Sequence, residues 1–378
     1  MGSKVTEARN ANELRDFIKA RAASLGFCLC GFTDNSPLEY FPRYQEWIQK
    51  KYHGPMAYMA SDRHMLPRSD PRKFRPWVKS IIMVAWPYPL TPAEFPEPTG
   101  LIAGYVGSQD YHLLLPEKLN ELVDDLRQFS GKPLQAEIFT DSGPILEREL
   151  AVRAGLGWIG RNSCLISTRY GSALLLAEVF LDIELPADSP YTENHCGTCQ
   201  RCRQACPTNC IQSDCTIDAR NCISTLTIEN KSLLPVELAK NIGNHLFGCD
   251  ACQSACPWNR PVLSTFSESN ALSIPNMLTE LSITEEQFKQ KYADTPILRT
   301  KRRGWIRNIC AVLSNLKIQE AFVPLTKVLF EDQDPLCRIA AAASLVSLDR
   351  DQADSLIREV LKQEQDSLAV QELNSLLI

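Results

Sequence analysis

The sequence has no apolar stretch near the roughly twenty consecutive residues that a membrane-crossing helix requires. Met1 to Asn12 is polar, so no export signal is read there. No G-x-G-x-x-G stands after a strand pattern and no G-x4-G-K-[ST] occurs, so neither a dinucleotide fold nor a P-loop is supported. The C-x3-C-x2-C of radical S-adenosylmethionine enzymes is missing too. Nor is there an excess of positive charge: 40 Lys and Arg face 45 Asp and Glu, a formal net charge of −5. That balance excludes a uniformly basic nucleic-acid coat and leaves room for a local patch.

Cysteine, by contrast, is plentiful. Fifteen cysteines without an export signal point to a reducing compartment and metal-bound thiols, hence to an oxygen-sensitive cytoplasmic protein. One run reads Cys196-Gly-Thr-Cys199-Gln-Arg-Cys202-Arg-Gln-Ala-Cys206-Pro207, the C-x2-C-x2-C-x3-C-P spacing of bacterial ferredoxins. In that spacing three thiolates wrap one [4Fe–4S] cubane and the fourth ligates the other cluster. A shorter run supplies Cys249, Cys252 and Cys256-Pro257. The same crossing places Cys256 with Cys196, Cys199 and Cys202, and leaves Cys206, Cys249 and Cys252 one ligand short. Cys210, Cys215 and Cys222 are the candidates. Cys222 is favoured, because it opens the apolar segment 222–228 that could hold it rigidly. Paired C-x2-C units also build zinc sites, but zinc explains neither the two Cys-Pro endings nor eight thiolates.

With 378 residues the chain has room for two or three domains. Residues 12–185 alternate helical and strand patterns. Helices are predicted at 12–25, 44–51, 110–129 and 145–154, and strands at 27–32, 77–86, 135–140, 163–168 and 173–181. The run 80–85 is apolar throughout, as in strands buried on both faces. Cys28 and Cys30 read as core residues, and the five prolines of 87–98 as a rigid loop. The fold class is α+β: an α/β layer domain at 12–185, a ferredoxin-like two-cluster domain at 186–288, and a helical domain at 289–378. In the last, Asp332-Gln-Asp-Pro335-Leu-Cys-Arg338 resembles a HEAT-repeat unit, with segments at 305–316, 320–330, 335–347 and 353–364. Cys310 and Cys337 fall at its apolar positions.

Two clusters alone make a wire, and the 180 or so residues ahead of them call for a terminal acceptor. The glycine-rich string Gly155-Leu-Gly157-Trp158-Ile-Gly160 suggests backbone packed closely on a large flat ligand. Asp141 stands at a strand end before a turn. A carboxyl beside an apolar cofactor would have its pKa pushed up and could donate a proton.

The strings Asp141-Ser-Gly-Pro-Ile-Leu-Glu147, Gly155-Leu-Gly-Trp-Ile-Gly160, Asp218-Ala-Arg-Asn-Cys222-Ile-Ser224-Thr-Leu-Thr-Ile-Glu229 and Gly248-Cys-Asp250-Ala-Cys-Gln253 resemble those of the tRNA epoxyqueuosine reductases. These are cobalamin-dependent iron–sulfur enzymes related to reductive dehalogenases. The resemblance covers most of the chain, from about residue 12 through the helical tail. It implies reduction of epoxyqueuosine to queuosine at the first anticodon position of tRNA. Electrons would pass from an external donor through two [4Fe–4S] clusters to a base-off cobalamin, with Asp141 as proton donor. It implies Cys196, Cys199, Cys202 and Cys256 for one cluster and Cys206, Cys222, Cys249 and Cys252 for the other. It places Ser224 against the corrin, with Asp250 nearby and His64 and Tyr105 as further candidates.

The pattern departs from the family at Asn209-Cys210, where Gly-Ala is usual, and at the extra Cys215. The D-x-H-x-x-G cobalt-ligand signature is absent, because Leu115 stands where its glycine would be, so His112 reads as structural. Beside this resemblance the basic run Arg299, Lys301, Arg302, Arg303 and Arg307 reads as a phosphate-contacting patch for the anticodon stem-loop, and the protein as a monomer. The alternatives are a reductive dehalogenase-like enzyme acting on a small molecule, or a plain ferredoxin-type electron carrier.

Overall fold

The protein is represented by a computed structural model describing residues 10–90, 93–94, 100–107, 109–260 and 276–377. Its first layer is a four-stranded sheet of β1 (Leu29–Asp34), β2 (Ser80–Pro87), β3 (Ala136–Phe139) and β4 (Leu174–Leu181), in the order β1-β2-β4-β3. Every pairing in it is antiparallel. The apolar texture of 80–85 has the expected cause, burial on both faces, while the α/β layer expected from alternating elements is an antiparallel sheet. β2 is a central strand with helices on both faces, so neither of its faces meets water. Ile82 and Val84 pack toward α1 (Ala11–Ser24) and α2 (Tyr111–Ser130), while Ile81, Met83 and Ala85 pack toward α3 (Glu147–Arg153).

Local chemistry sets the helix ends. Asn10 and Glu13 form a reciprocal capping box at the start of α1. Asp110 caps α2, accepting from the His112 amide at 2.9 Å, and Gly131 closes that helix in the left-handed region at φ 65°. The turn after β3 puts Asp141 at φ 54°, a conformation that most side chains avoid. The proline-rich loop lies largely outside the described residues; within it, 93–94 pairs with 101–102.

The cysteine region is built from single turns. Arg201–Gln204 packs against Ala251–Ser254, and a π-helical turn, Thr225–Glu229, follows Cys222. Beyond it come α4 (Lys301–Asn315), α5 (Phe322–Glu331), α6 (Pro335–Leu348), α7 (Arg350–Val360) and α8 (Ser367–Leu376), the last not anticipated from the periodicity. Asp334 caps α6 with Pro335 in its first turn. One apolar core runs from Ile102, Ile223 and Leu246 through Trp305 and Ile309 to Leu373. The tail and the cysteine region therefore share an interior. Trp305 is fully buried, and truncating it to alanine would cost roughly 3–5 kcal/mol. Among the described residues no helix is long and apolar enough to cross a membrane.

Candidate redox and proton-transfer site

None of the fifteen cysteines is in a disulfide, and the charges they would carry as thiolates sort eight of them into two sets. The Cys202 thiol is raised chiefly by burial, with Cys196, Cys256 and Cys199 as its thiol neighbours. Cys249 likewise has Cys222 and Cys206 close by, and Cys252 has Cys222 and Cys249 together with Cys164, a ninth cysteine that stands near both sets. The fold thus brings Cys256 back to the first run, and Cys206 and Cys222 to the second. A buried donor supports the first set. Trp158 packs against Cys196 and Cys256, and its indole Nε1 is buried without a hydrogen-bond partner among the described residues. Sulfide and thiolate sulfur would accept such an N–H, so this quartet fits an iron–sulfur cluster.

Cys210 is not a loop residue facing water. It is buried, its Sγ is 3.4 Å from that of Cys206, and Cys222 is a neighbour as well. Cys215 stands apart on a turn at φ 66°. Burial pushes Cys28 and Cys30 up to about 12, as packing residues should be.

The glycines of 155–160 do not cradle a ligand. A Cβ on Gly157 would lie 2.1 Å from the Ile166 carbonyl oxygen, and one on Gly160 2.3 Å from the Ile166 side chain. They let the protein close on itself and seat Trp158 beside Cys196 and Cys256.

Asp141 lies in a recess. About 61 % of its side chain is open to solvent, yet protein walls it closely enough that burial still penalises its charge. The Tyr111 hydroxyl donates to its Oδ2 at 2.8 Å, and His112 Nε2 is 3.6 Å from the same oxygen. His112 Nδ1 is 2.7 Å from Asp110 Oδ1. Burial acts to raise the Asp141 carboxyl, but the bonds from His112 and Tyr111 outweigh it and hold it below its ordinary value. That corrects the expected upward shift. Burial lowers His112, but its two carboxylates win and push it up to about 9. The resting pair is therefore imidazolium and carboxylate, and the proton sits on His112. His112 is part of the site, not a bystander. On the far side, the Asp141 amide donates to Glu147 Oε1 at 2.7 Å, and burial with the charge of Asp141 pushes Glu147 up to about 8.

This recess reaches the cysteine region through a short bridge. Asp250, between Cys249 and Cys252, accepts from the Gly104 amide at 2.6 Å. The neighbouring Tyr105 ring is 6.1 Å from Tyr111, whose hydroxyl holds Asp141. Burial raises Asp250 to about 6. Ser224 is half-buried just after Cys222. His64 lies on a helix, Asp62–Ser69, and its ring meets Tyr58 at 5.3 Å. Tyr58 in turn has Glu229, Arg299 and Asp141 as charged neighbours.

The family model "4Fe-4S double cluster binding domain" matches residues 195–259, and "Epoxyqueuosine reductase QueG, DUF1730" matches 68–142. The chain is 38 % identical to an epoxyqueuosine reductase of Salmonella typhimurium over 330 residues, 85 % of each protein. It is 39 % identical to one of Cyclobacterium marinum over 298 residues, covering 77 % of this chain and 94 % of that one. It belongs to the epoxyqueuosine reductase family. A crystal structure of a selenomethionine-labelled epoxyqueuosine reductase superposes with a TM-score of 0.88 at 28 % identity, covering 98 % of this chain and all of that one. Another, bound to an epoxyqueuosine-modified tRNA-Tyr stem loop, gives 0.86 at 28 % identity over 97 % and 99 %.

Within this reductase fold the basic run divides. Arg307 is buried and donates to the carbonyls of Asn230 and Ser232 at 2.7 Å and Leu226 at 2.8 Å, so it offers nothing to a phosphate. Arg302 is committed to Asp332 and the Ile283 carbonyl. Arg299 pairs with Glu229 at 2.5 Å but keeps about half its side chain exposed, Lys301 is exposed and Arg303 half-buried. Tyr111, His112, Glu147 and the fully buried Glu178 were given no chemical role from sequence. The signal for the first two was their place directly behind the capping Asp110.

Proposed function

We propose that this protein reduces epoxyqueuosine to queuosine at the first anticodon position of tRNA. The observation that carries this reading is the bridge Cys249-Asp250 to Gly104-Tyr105 to Tyr111 to Asp141, which sets a proton-transfer recess beside a cysteine quartet. Cys196, Cys199, Cys202 and Cys256 hold one [4Fe–4S] cluster, and Cys206, Cys222, Cys249 and Cys252 the other. A base-off cobalamin, held against Ser224, Asp250, Tyr105 and His64, would supply a low-potential cobalt centre for the reductive cleavage of a carbon–oxygen bond. Family membership and the open, aromatic-walled recess support it. Asp141 passes a proton to the departing epoxide oxygen, and His112 is the store from which that proton comes. A solved epoxyqueuosine reductase from Bacillus subtilis, described with an aspartate catalytic loop swung out of its active site, supports an aspartate on a turn as a catalytic group.

The tRNA enters with its modified base splayed from the anticodon loop, the usual mode for single-stranded RNA. Arg299, Lys301 and Arg303 then contact phosphates. The residues divide as 12–185 for the recess, 186–288 for the clusters and 289–378 for a HEAT-like tail. The protein works in the cytoplasm as a monomer with an external electron donor.

The test is metal analysis and EPR on protein purified without oxygen and supplied with cobalamin. About eight irons per chain, one base-off Co(II) signal and conversion of epoxyqueuosine tRNA are expected. Eight irons without retained cobalt would reduce the protein to an electron carrier, and zinc in place of iron would remove the reading altogether.

A further inference from the structure

Opening an epoxide to an alkene takes two electrons and two protons. Both carbon–oxygen bonds break, the carbon–carbon double bond forms, and the oxygen leaves as water. The His112–Asp141 pair accounts for one proton. The second needs a source, and the structure holds a group with no part in the steps above. Glu178 is fully buried in central strand β4, and neither of its carboxyl oxygens has a hydrogen-bond partner among the described residues.

Its placement is specific. Side chains alternate along a strand, and Leu176 and Phe180 pack on the α3 face with Leu150 and Ala151, so Glu178 points to that face as well. It sits opposite Phe139 on β3, two residues before Asp141. Glu147 opens α3 on the same face and already bonds the Asp141 backbone. Glu147 and Asp141 are the charged neighbours of Glu178, and among the described residues no cation offsets it. Around Glu147 stand Asp141, Arg148 and Arg68; around Asp141 stand His112, Tyr111 and Arg299.

Resting on the proposed reductase activity, we infer that Glu147 supplies the second proton of the reduction, and that Glu178 is a positioning residue that supports it from the core. Two electrons arrive from a low-potential external donor through the cysteine region. The first carbon–oxygen bond breaks and the oxygen takes the proton held by Asp141 and His112. As the second bond breaks, the hydroxyl takes a proton from Glu147, whose carboxyl lies against the Asp141 backbone, and water leaves. Glu147 is then a carboxylate, and the O–H of the neighbouring neutral Glu178 donates to it. A buried carboxyl without a cation stays neutral, because ionising it in the core is prohibitive. The rise of Glu147 to about 8 agrees: it holds its proton at neutral pH and can still release it.

The test uses the holoenzyme and epoxyqueuosine tRNA. Wild type is expected to lose rate near pH 8, and Glu147→Gln to slow turnover tenfold or more and abolish that loss, leaving cluster EPR unchanged. Glu178→Leu removes the donor to the Glu147 carboxylate, so the same pH limb moves upward and the rate falls. Glu178→Gln, whose amide still donates, restores both most of the way. The double variant Glu147→Gln/Glu178→Leu should be no slower than Glu147→Gln alone, since one path is lost once. Wild-type rates in Glu147→Gln would overturn the inference, as would an unmoved pH limb in Glu178→Leu. A readout independent of turnover is the carboxylic-acid C=O stretch in the infrared. It should be present at neutral pH and lose intensity in Glu178→Gln; an unchanged band would overturn the role of Glu178 even if the tRNA activity itself were not found.

Discussion

Each of the two large cores buries a charged-type side chain, and they treat it oppositely. In the tail core Arg307 gives its donors to three carbonyls and to Asn308, and Asn308 extends the same network to the carbonyls of Thr227 and Leu246. Those carbonyls lie in and around the π-helical turn behind Cys222, where regular helical bonding is interrupted. In the sheet core Glu178 has no hydrogen-bond partner among the described residues. A buried polar group that is fully bonded serves the architecture. One left unbonded beside a solvent-facing recess has a cost without a structural return, which is the mark of a group kept for chemistry.

The sharpest way to break this contrast is to remove each group. Arg307→Met orphans the carbonyls of Leu226, Asn230 and Ser232, at about 1–3 kcal/mol for each buried unsatisfied group. A net loss of roughly 3–5 kcal/mol is expected by denaturant titration, together with lower iron content, because Cys222 sits at the head of the turn that loosens. Glu178→Gln should change stability by no more than about 1 kcal/mol, since it matches the neutral acid in shape. A large loss in Glu178→Gln would place it among the architectural groups.

Asp141→Asn comes next. It keeps the turn and the bond to Tyr111 but cannot carry the proton, so turnover should fall about 10²–10⁴-fold while clusters and folding persist. Unimpaired turnover would end its role as acid.

Stability against pH gives a smaller effect. The folded state raises His112 from 6.5 to about 9, so its contribution is complete below pH 6.5 and disappears as pH rises through 9. Glu147 is raised from 4.5 to about 8, so the folded state also holds its proton longer, and stability again falls as pH rises between those values. The two slopes add. His112→Asn should flatten the decline between pH 6.5 and 9 by an amount on the order of 1–3 kcal/mol, since one titrating proton is worth about 1.4 kcal/mol for each pH unit crossed. An undiminished decline would remove His112 as the proton store.

These contrasts show why the sequence disclosed some of the site and not the rest. The two cysteine quartets proposed as cluster ligands could be named from sequence because thiolate spacing obeys the size of a cluster, a covalent constraint that survives in one dimension. Asp141 was legible from its motif, yet its pKa direction was not, since that depends on His112 and Tyr111 arriving from another helix. The sheet's antiparallel order was hidden because a central strand covered on both faces looks apolar whichever way its neighbours run. Glu178 was invisible for the same reason, a single polar letter inside an apolar run. Arg307 misled in the other direction. Five basic residues in nine positions read as one surface, but a helix turns 100° per residue, and α4 is enclosed on most sides.

The basic run yields the finest test of the distinction between committed and uncommitted charge. Lys301→Ala and Arg303→Ala should weaken tRNA-stem-loop binding only a few-fold each, and lower the slope of log affinity against log salt by about 0.7–0.9 per lost phosphate contact. Stability should hardly move for Lys301, which is exposed. Arg302→Ala should behave in reverse. It strands the buried Asp332, whose side chain is only 3 % exposed, and should cost about 3 kcal/mol of folding stability while leaving the salt slope alone. Binding titrations at several salt concentrations, run beside thermal melts, separate the two. If Arg302→Ala lowers the slope and Lys301→Ala does not, the RNA surface lies elsewhere and the ion pair to Asp332 is an ornament of the unbound state.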